Sequence, residues 1–296
     1  MNKICYQLET SLFWGENMLR GFYTAASGML SQQRRTEMLT NNLANANTPG
    51  FKADQSSMRA FPEMLIQRMG LTDIPVENGY RLPVNSLVGG LNTGVYMQEA
   101  MPKFLQGDIQ QTDRNTDIAL LNGNIPVNPE TGLSGTVFFA VANGNGEPRY
   151  TRNGNFTLDG QGFLTTSAGY YVLDDQNKPI QLNSENFTVG EDGTIREDSR
   201  VAARLGIGYS EDPYRLIKEG DGLFRTENGA ELANAYTDGN VGFAFKQGNI
   251  EASNVDASRT MTDMMTAYRA FEANQKVLQA YDRSMEKAVN EIGRLG

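Results

Sequence analysis

No histidine occurs anywhere in the 296 residues, and there is a single cysteine, Cys5. The first absence removes the commonest general base and metal ligand, and the second excludes an internal disulfide or a thiolate metal cage. Catalysis would have to rest on carboxylate, lysine or tyrosine groups, and no cofactor is expected. Basic residues are also in deficit, since 26 Lys and Arg face 35 Asp and Glu and leave a formal charge of −9. Gripping a phosphate backbone takes clustered cations that displace counterions, so no nucleic-acid partner is expected. No apolar run approaches the roughly 18–20 residues of a membrane span, and residues 1–17, MNKICYQLETSLFWGEN, lack the continuous apolar core of a secretory leader. Neither membrane insertion nor a cleaved signal peptide is expected.

Residues 1–17 differ in character from the rest of the chain. Trp14-Gly15-Glu16-Asn17-Met18 back-translates only as TGG GGN GAR AAY ATG, a purine-rich tract just ahead of an ATG, as at a bacterial ribosome-binding site. The expectation is that translation begins at Met18 and that 1–17 is an untranslated or disordered leader. A genuine N-terminal tail is the alternative, and a native peptide containing Trp14 would establish it.

What the chain does contain is enough apolar character, 39%, to bury a core, and it is distributed in two styles. From Leu19 the positions Leu19, Phe22, Ala26, Met29, Gln33, Thr36, Thr40 and Leu43 step by three and four, the spacing of one helix seam. Residues 251–292 contain neither Gly nor Pro. Within them Ala257, Met261, Met264, Tyr268, Phe271, Gln275, Leu278, Asp282, Met285, Val289 and Ile292 keep the same stepping, which predicts a coiled coil. Ser253 or Asn254 is placed to cap that helix, with Asp256 at the positive end of its dipole. Between the helices, Phe138 to Asp175 alternates β-branched or aromatic residues with polar ones and is punctuated by Asn-Gly and Asp-Gly pairs, an antiparallel meander. Further strands are expected at 187–189, 194–196, 203–209 and 243–245. Residues 61–66 read as a short helix and 78–94 as an extended loop or long hairpin.

The expected fold is therefore α+β, with long N- and C-terminal helices forming a coiled-coil domain and a central antiparallel β-rich domain. Its parts are the leader 1–17, a first helix and turn 18–53, an extended linker or hairpin 54–106, a β-rich domain 107–248, and a C-terminal helix 249–296 that completes the discontinuous helical domain. Chain ends of this kind must pair with each other or be buried by other copies.

Several motifs invite chemistry and have plainer readings. Ser284-Met285-Glu286-Lys287 matches the Ser-x-x-Lys of some acyl enzymes, but Met285 lies on the seam. Asp159-Gly160-Gln161-Gly162 and Asp192-Gly193 lack the alternating oxygen ligands and distal Glu of a calcium loop and read as hairpin turns. Gly206-Ile207-Gly208 lacks a third glycine and a βαβ context, and reads as strand. The methionines 261, 264, 265 and 285 could line a promiscuous groove, though adaptable packing in a helical assembly is simpler. Asn41 to Lys52, NNLANANTPGFK, is a helix stop: Asn tolerates the left-handed region, Pro49 biases Thr48 to extended geometry, and Pro-Gly suits a type II turn.

Leu19 to Ala53, LRGFYTAASGMLSQQRRTEMLTNNLANANTPGFKA, resembles the N-terminal signature of the bacterial flagellar rod and hook proteins, NNLAN followed by T-x-G-[FY]-K. The matching residues are Asn41, Asn42, Leu43, Ala44, Asn45, Thr48, Gly50, Phe51 and Lys52. Gln247 to Met285 resembles the C-terminal block of the same family, QG-x-[LI]-E-x-SNVD followed by YRAFEAN, with Ser253, Asn254, Val255 and Asp256 in its core. GDIQQTDRNTDIAL and YTRNGNFTLDGQGFLTTSAGYYVL are similar to the rod-type β domain, and the length is similar to that of distal-rod members. The resemblance implies an assembly protein without catalysis. Its terminal helices would form the inner tube of an axial structure that transmits torque from motor to hook, with the β domain outside. Its partners would be itself, other rod and hook proteins, and the flagellum's own type III export apparatus, which uses an uncleaved N-terminus. It also implies an assembly seam of Met261, Met264, Tyr268, Phe271, Leu278 and Met285 against Leu19, Phe22, Met29 and Leu43. Residues 124–136, NIPVNPETGLSGT, intrude where the family runs directly into its strand.

From a different class, a secreted β-rich module binding cell-wall glycan would use Tyr150, Phe163, Tyr170 and Tyr171 as a saccharide platform, with the helices as a stalk. No convergent acidic pair recommends a hydrolase.

Overall fold

A computed structural model describes residues 2–74, 80–128, 132–198, 200–237 and 239–292, with the backbone alone for 2–19, 66–74, 80–86 and 292. Helix α1 (Asn2–Ala44) has 43 residues and runs on through Met18, and α2 (Ala257–Ile292) has 36. Asp256 caps α2, its Oδ1 accepting the Arg259 N–H at 3.0 Å. Neither Ser253 nor Asn254 does so, because Asn254 is engaged elsewhere. At the other boundary α1 stops where the asparagines bond their own backbone: Asn45 Nδ2 donates to the Asn41 carbonyl at 2.9 Å, and Thr48 Oγ1 donates to Asn45 Oδ1 at 3.2 Å.

The helical ends and β-rich middle fit α+β, but the expected coiled-coil domain is not formed. On α2, Met261, Tyr268 and Val289 are 50%, 61% and 71% exposed, and Gln275 and Asp282 are exposed with them. Of the expected seam, Met264, Phe271, Leu278 and Met285 are half-buried. The residues that complete the inward stripe are Thr260, Ala267, Asn274, Tyr281 and Ala288, each one position before the expected one and about 100° around the helix. At Met261, Tyr268 and Val289 apolarity selects the bulkier neighbour, whereas the smaller Thr260, Ala267 and Ala288 are the ones turned inward. On α1, Phe22, Ala26, Met29, Thr36 and Leu43 are half-buried, Gln33 and Thr40 are exposed, and the Leu19 side chain lies outside the described residues. The best-buried α1 side chains are instead Ala25, Ser31, Leu39 and Asn42.

The chain divides into two compact units. One comprises Met1–Thr40, Ser56–Ala100 and Met261–Gly296. In it, hydroxyls on one face of α1 hold the backbone of an extended ribbon: Ser31 Oγ donates to the Val95 carbonyl at 3.0 Å, and the Val95 N–H donates to Ser27 Oγ at 3.2 Å. The ribbon pairs Met58–Ala60 with Val95–Met97, and a long antiparallel hairpin joins Met64–Ile74 to Tyr80–Leu91. The short helix expected over 61–66 is absent. Pro62 disfavours helical geometry at Phe61, and from Met64 the backbone is committed to pairing with Leu91. Of the stretch 78–94, residues 78 and 79 lie outside the described residues.

The other unit, Asn41–Gln55 with Met101–Thr260, is the β body. Its central strand Thr136–Ala142 is buried at every position. The alternation of a strand sends Val137, Phe139 and Val141 into one apolar cluster, and Phe138, Ala140 and Ala142 into another. Aromatic edges fix both faces, with Phe139 at 5.2 Å from Phe156, and Phe138 at 5.5 Å from Phe224 between ring centroids. On one side the strand pairs with Pro148–Thr151; on the other its first half pairs with Ile207–Ser210 and its end with Tyr171–Val172. The Asp159 and Asp192 loops are tight turns, closed by left-handed Gly162 (φ 84°) and Gly193 (φ 80°). In the stretch 124–136, Val127 bridges Ser134, while 129–131 lie outside the described residues. Strand Phe243–Gln247 pairs with Ile118–Asn122, and Asn249–Glu251 with Ile109–Gln111, which brings the chain to α2.

These burials make opposite forecasts for two aromatic truncations, read by urea denaturation of the purified chain. Phe139→Ala is expected to cost about 3–5 kcal/mol, whereas Tyr268→Ser is expected to stay within about 0.5 kcal/mol of the parent.

Candidate assembly joint

Both signature stretches, NNLANANTPGFK and QGNIEASNVD, lie partly or wholly in the β body, where they meet. Gly50 makes the approach possible. It takes φ 69°, and a Cβ there would sit 2.4 Å from the backbone of Arg152 and Asn153. Its N–H donates to the Glu251 carbonyl at 2.7 Å, which sets Lys52 beside the Glu251 side chain.

Lys52, Arg152 and Glu251 are each 1–2% exposed. Lys52 Nζ lies 2.5 Å from Glu251 Oε1, and Arg152 Nη2 lies 2.7 Å from Oε2. Further partners surround the three charges: Lys52 donates to the Leu105 carbonyl at 2.8 Å, Arg152 to the Leu120 and Val137 carbonyls and to Asn122 Oδ1, and the Gly107 N–H to Glu251 Oε1 at 2.9 Å. Two cations share one anion, and carbonyl dipoles absorb the excess positive charge. Burial dominates the Lys52 ammonium and, with Arg152 repelling it, outweighs the attraction of Glu251, so its pKa falls from 10.5 to about 8. Burial works against the Glu251 carboxylate too, but Arg152 and then Lys52 more than compensate and hold its pKa below 4.5. A lysine with a lowered pKa can be a nucleophile, yet this one is enclosed on all sides. It works as a latch.

Around the latch the signature asparagines bind backbone. Asn42 exchanges two hydrogen bonds with Asp54, both 2.8 Å, and the Asp54 carboxylate holds Lys218 Nζ at 2.9 Å. Lys218 also sits 4.1 Å over the Phe51 ring. Asn254 Oδ1 accepts the Ala53 N–H at 2.7 Å, and its Nδ2 donates to the Lys103 and Leu105 carbonyls. Ser253 Oγ accepts the Val255 N–H at 3.3 Å. Asn41, Asn45 and Thr48 make the helix stop, Leu43 is half-buried, and Ala44 is exposed.

Sequence reading named Lys52 but not Arg152 or Glu251, nor Asp54 and Lys218. Glu251 could have been found, since it is the E of the QG-x-[LI]-E-x-SNVD block and a lone carboxylate between Ile250 and Ala252 at the end of a strand. Arg152, between a strand and an Asn-Gly turn, looks like a surface residue. As for the saccharide platform, Tyr150 is 4% exposed and Phe163 meets Tyr171 edge-on at 5.4 Å, so no flat aromatic face is presented.

Three family models match the chain: flagella basal body rod protein over 22–52, the flagellar hook protein FlgE/F/G D1 domain over 132–197, and flagellar basal body rod FlgEFG protein C-terminal over 246–291. It is 46% identical over 278 residues to the flagellar hook-basal body complex protein FlhO of Bacillus subtilis (strain 168), covering 94% of this chain and 100% of that one. The chain belongs to the flagellar rod and hook-basal body family. Two basal-body rod proteins FlgG are also similar: that of Bacillus subtilis at 31% identity, with 92% and 99% of the two chains covered, and that of Borreliella burgdorferi at 30%, with 92% and 98%. This is a family of structural proteins rather than enzymes, and it does not support the glycan-binding reading. The matched blocks 22–52 and 246–291 hold both ends of the latch, and Arg152 lies within the third, 132–197.

Removing Glu251 should hurt more than removing Lys52. Glu251→Gln leaves two buried cations unneutralised, at a cost of about 3–5 kcal/mol, while Lys52→Met leaves a neutral Arg152–Glu251 pair and costs less. Titration gives a second signature. Between about pH 8 and 10.5 the unfolded Lys52 keeps a proton that the folded one has released, so stability rises with pH there. In Lys52→Met that slope should drop by up to about 1.4 kcal/mol per pH unit. Glu251 acts in the same sense at acid pH, with a contribution present above pH 4.5 and lost as pH falls through its depressed pKa. Urea midpoints across this range check all three statements.

Proposed function

We propose that this chain is an axial building block of the flagellar basal body. It assembles with copies of itself and with other rod and hook proteins into a stiff helical tube that carries torque from motor to hook. The observation that carries this reading is similarity to flagellar rod and hook-basal body proteins over almost the whole chain, together with a buried latch joining its two signature stretches.

Exposed apolar residues on the helices support packing against neighbours. Met261, Met265 and Tyr268 on α2, and Tyr23 and Leu30 on α1, are at least half exposed. Met264, Phe271, Leu278 and Met285 face inward, as do Phe22, Met29 and Leu43, and serve the subunit itself. Export takes place through the flagellum's own apparatus, without cleavage of a leader.

A deletion strain should lack complete rods and hooks when its basal bodies are viewed by electron microscopy, and it should not swim. Met261→Asp with Tyr268→Asp should give a chain as stable as the parent in urea that is nonetheless missing from purified basal bodies. Intact basal bodies in the deletion strain would remove the basis for this reading.

A further inference from the structure

Of the three glycines in α1, two lie seven residues apart, at Gly21 and Gly28. Each costs its helix about 0.5–1 kcal/mol relative to alanine, so their places ask for a reason. Across from them α2 presents Tyr281 and Asn274, also seven apart and in reverse order. A Cβ on Gly21 would lie 2.0 Å from the Tyr281 hydroxyl oxygen and 2.6 Å from its Cζ, inside the ring's own volume. A Cβ on Gly28 would lie 3.0 Å from Asn274 Nδ2. Farther along, Thr40 Oγ1 reaches Met264 Sδ at 3.6 Å, in the same antiparallel sense. The missing side chains on α1 are sockets, and the tips on α2 fill them.

We infer that Gly21 and Gly28 are specificity sockets: they admit the α2 of this chain in one antiparallel register, through Tyr281 and Asn274, and refuse helices that carry other tips at those places. A plain apolar stripe tolerates sliding by a turn. A ring seated in a hole with no Cβ resists a slide by one turn, which puts it against a side chain, and in a seven-residue slide that brings the ring to Gly28 it is Asn274 that meets a side chain, at Arg35. The polar end of Asn274 in a half-buried stripe works in the same direction, as a lone buried amide does when it selects register among helices. Selection has a use here. FlhO and FlgG, relatives of this chain at 46% and 31% identity, occur together in Bacillus subtilis, so terminal helices of one signature meet in one cell. The sockets let a chain close on its own helix before it meets a relative's. That use rests on the proposed function; the socket contact itself does not.

Two experiments on the full chain test it. With Cys5→Ser, Gly28→Cys and Asn274→Cys, mild oxidation should give an intrachain disulfide, since Asn274 Cγ already lies 3.4 Å from the Cβ position of residue 28. Non-reducing gels should show a monomer in which the two cysteine peptides are joined; only interchain bonds, or none, would overturn the sockets. Gly21→Leu should raise the rate of limited proteolysis in α2 on the order of tenfold, and adding Tyr281→Ala should restore much of the loss by emptying the space that Leu needs. A single variant no more sensitive than the parent, or a double variant no better than the single, would equally overturn them. A correct crosslink in a chain that proves dispensable for basal bodies would leave the sockets standing and remove the rod assignment instead.

Discussion

One carboxylate, Glu251, shared in a dry interior by Lys52 and Arg152, is the constraint on which the rest depends. It joins segments 199 residues apart in sequence, and Arg152, just after strand Pro148–Thr151, comes from the stretch between them. Taking three charges out of water is costly, and an apolar trio of similar volume would hold the segments at lower cost. What the ions add is intolerance of misplacement. A leucine shifted by an ångström still packs, whereas a carboxylate shifted by an ångström leaves two ammonium-type charges unanswered. The surrounding backbone is arranged to the same end. Gly50 brings the carbonyl of Glu251 within bonding distance, and Asn42 and Asn254 fasten Asp54 and Ala53, the residues that follow Lys52.

This explains what the crowded asparagines of NNLANANTPGFK do. They stop α1, as local chemistry alone requires, but they divide the labour. Asn45 turns inward on its own helix end, while Asn42 reaches forward to clamp Asp54, which in turn fixes Lys218. Stopping the helix and placing Lys52 are thus one structural event. A helix ended by any other means would point the next residues elsewhere, and the buried carboxylate would lose its first partner.

Much of this was legible in the sequence where the signal is local. The strands of the meander, the Asp-Gly turns and the helix stop all follow from side-chain alternation and backbone preference within a few residues. The latch was not, because its three members are separated by long stretches and each looks ordinary alone. The helix faces were half legible. Met264, Phe271, Leu278 and Met285 face inward as their spacing says, but Met261 and Tyr268 do not, since ranking by apolarity chooses the large neighbour where contact requires the small one. The short helix expected after Phe61 failed for a related reason: a periodic apolar stretch of six residues is ambiguous, and its strand partner near Leu91 decides the outcome.

The displaced stripe has a physical meaning beyond a misplaced face. A helix that turned every large apolar residue inward would satisfy itself and present only a polar surface to its surroundings. Here α2 turns Ala267, Asn274 and Ala288 inward with its shared set and leaves Met261, Met265 and Tyr268 outside. Inside, Gly21 and Gly28 leave room for the tips of Tyr281 and Asn274, and the bulky flexible residues outside remain free to pack against surfaces that differ from one neighbour to the next. The same sequence period therefore serves two contacts of opposite character. The inner one is tight and particular, and the outer one is broad and adaptable, a division that suits a subunit which must keep its own form while its surroundings change along an axis.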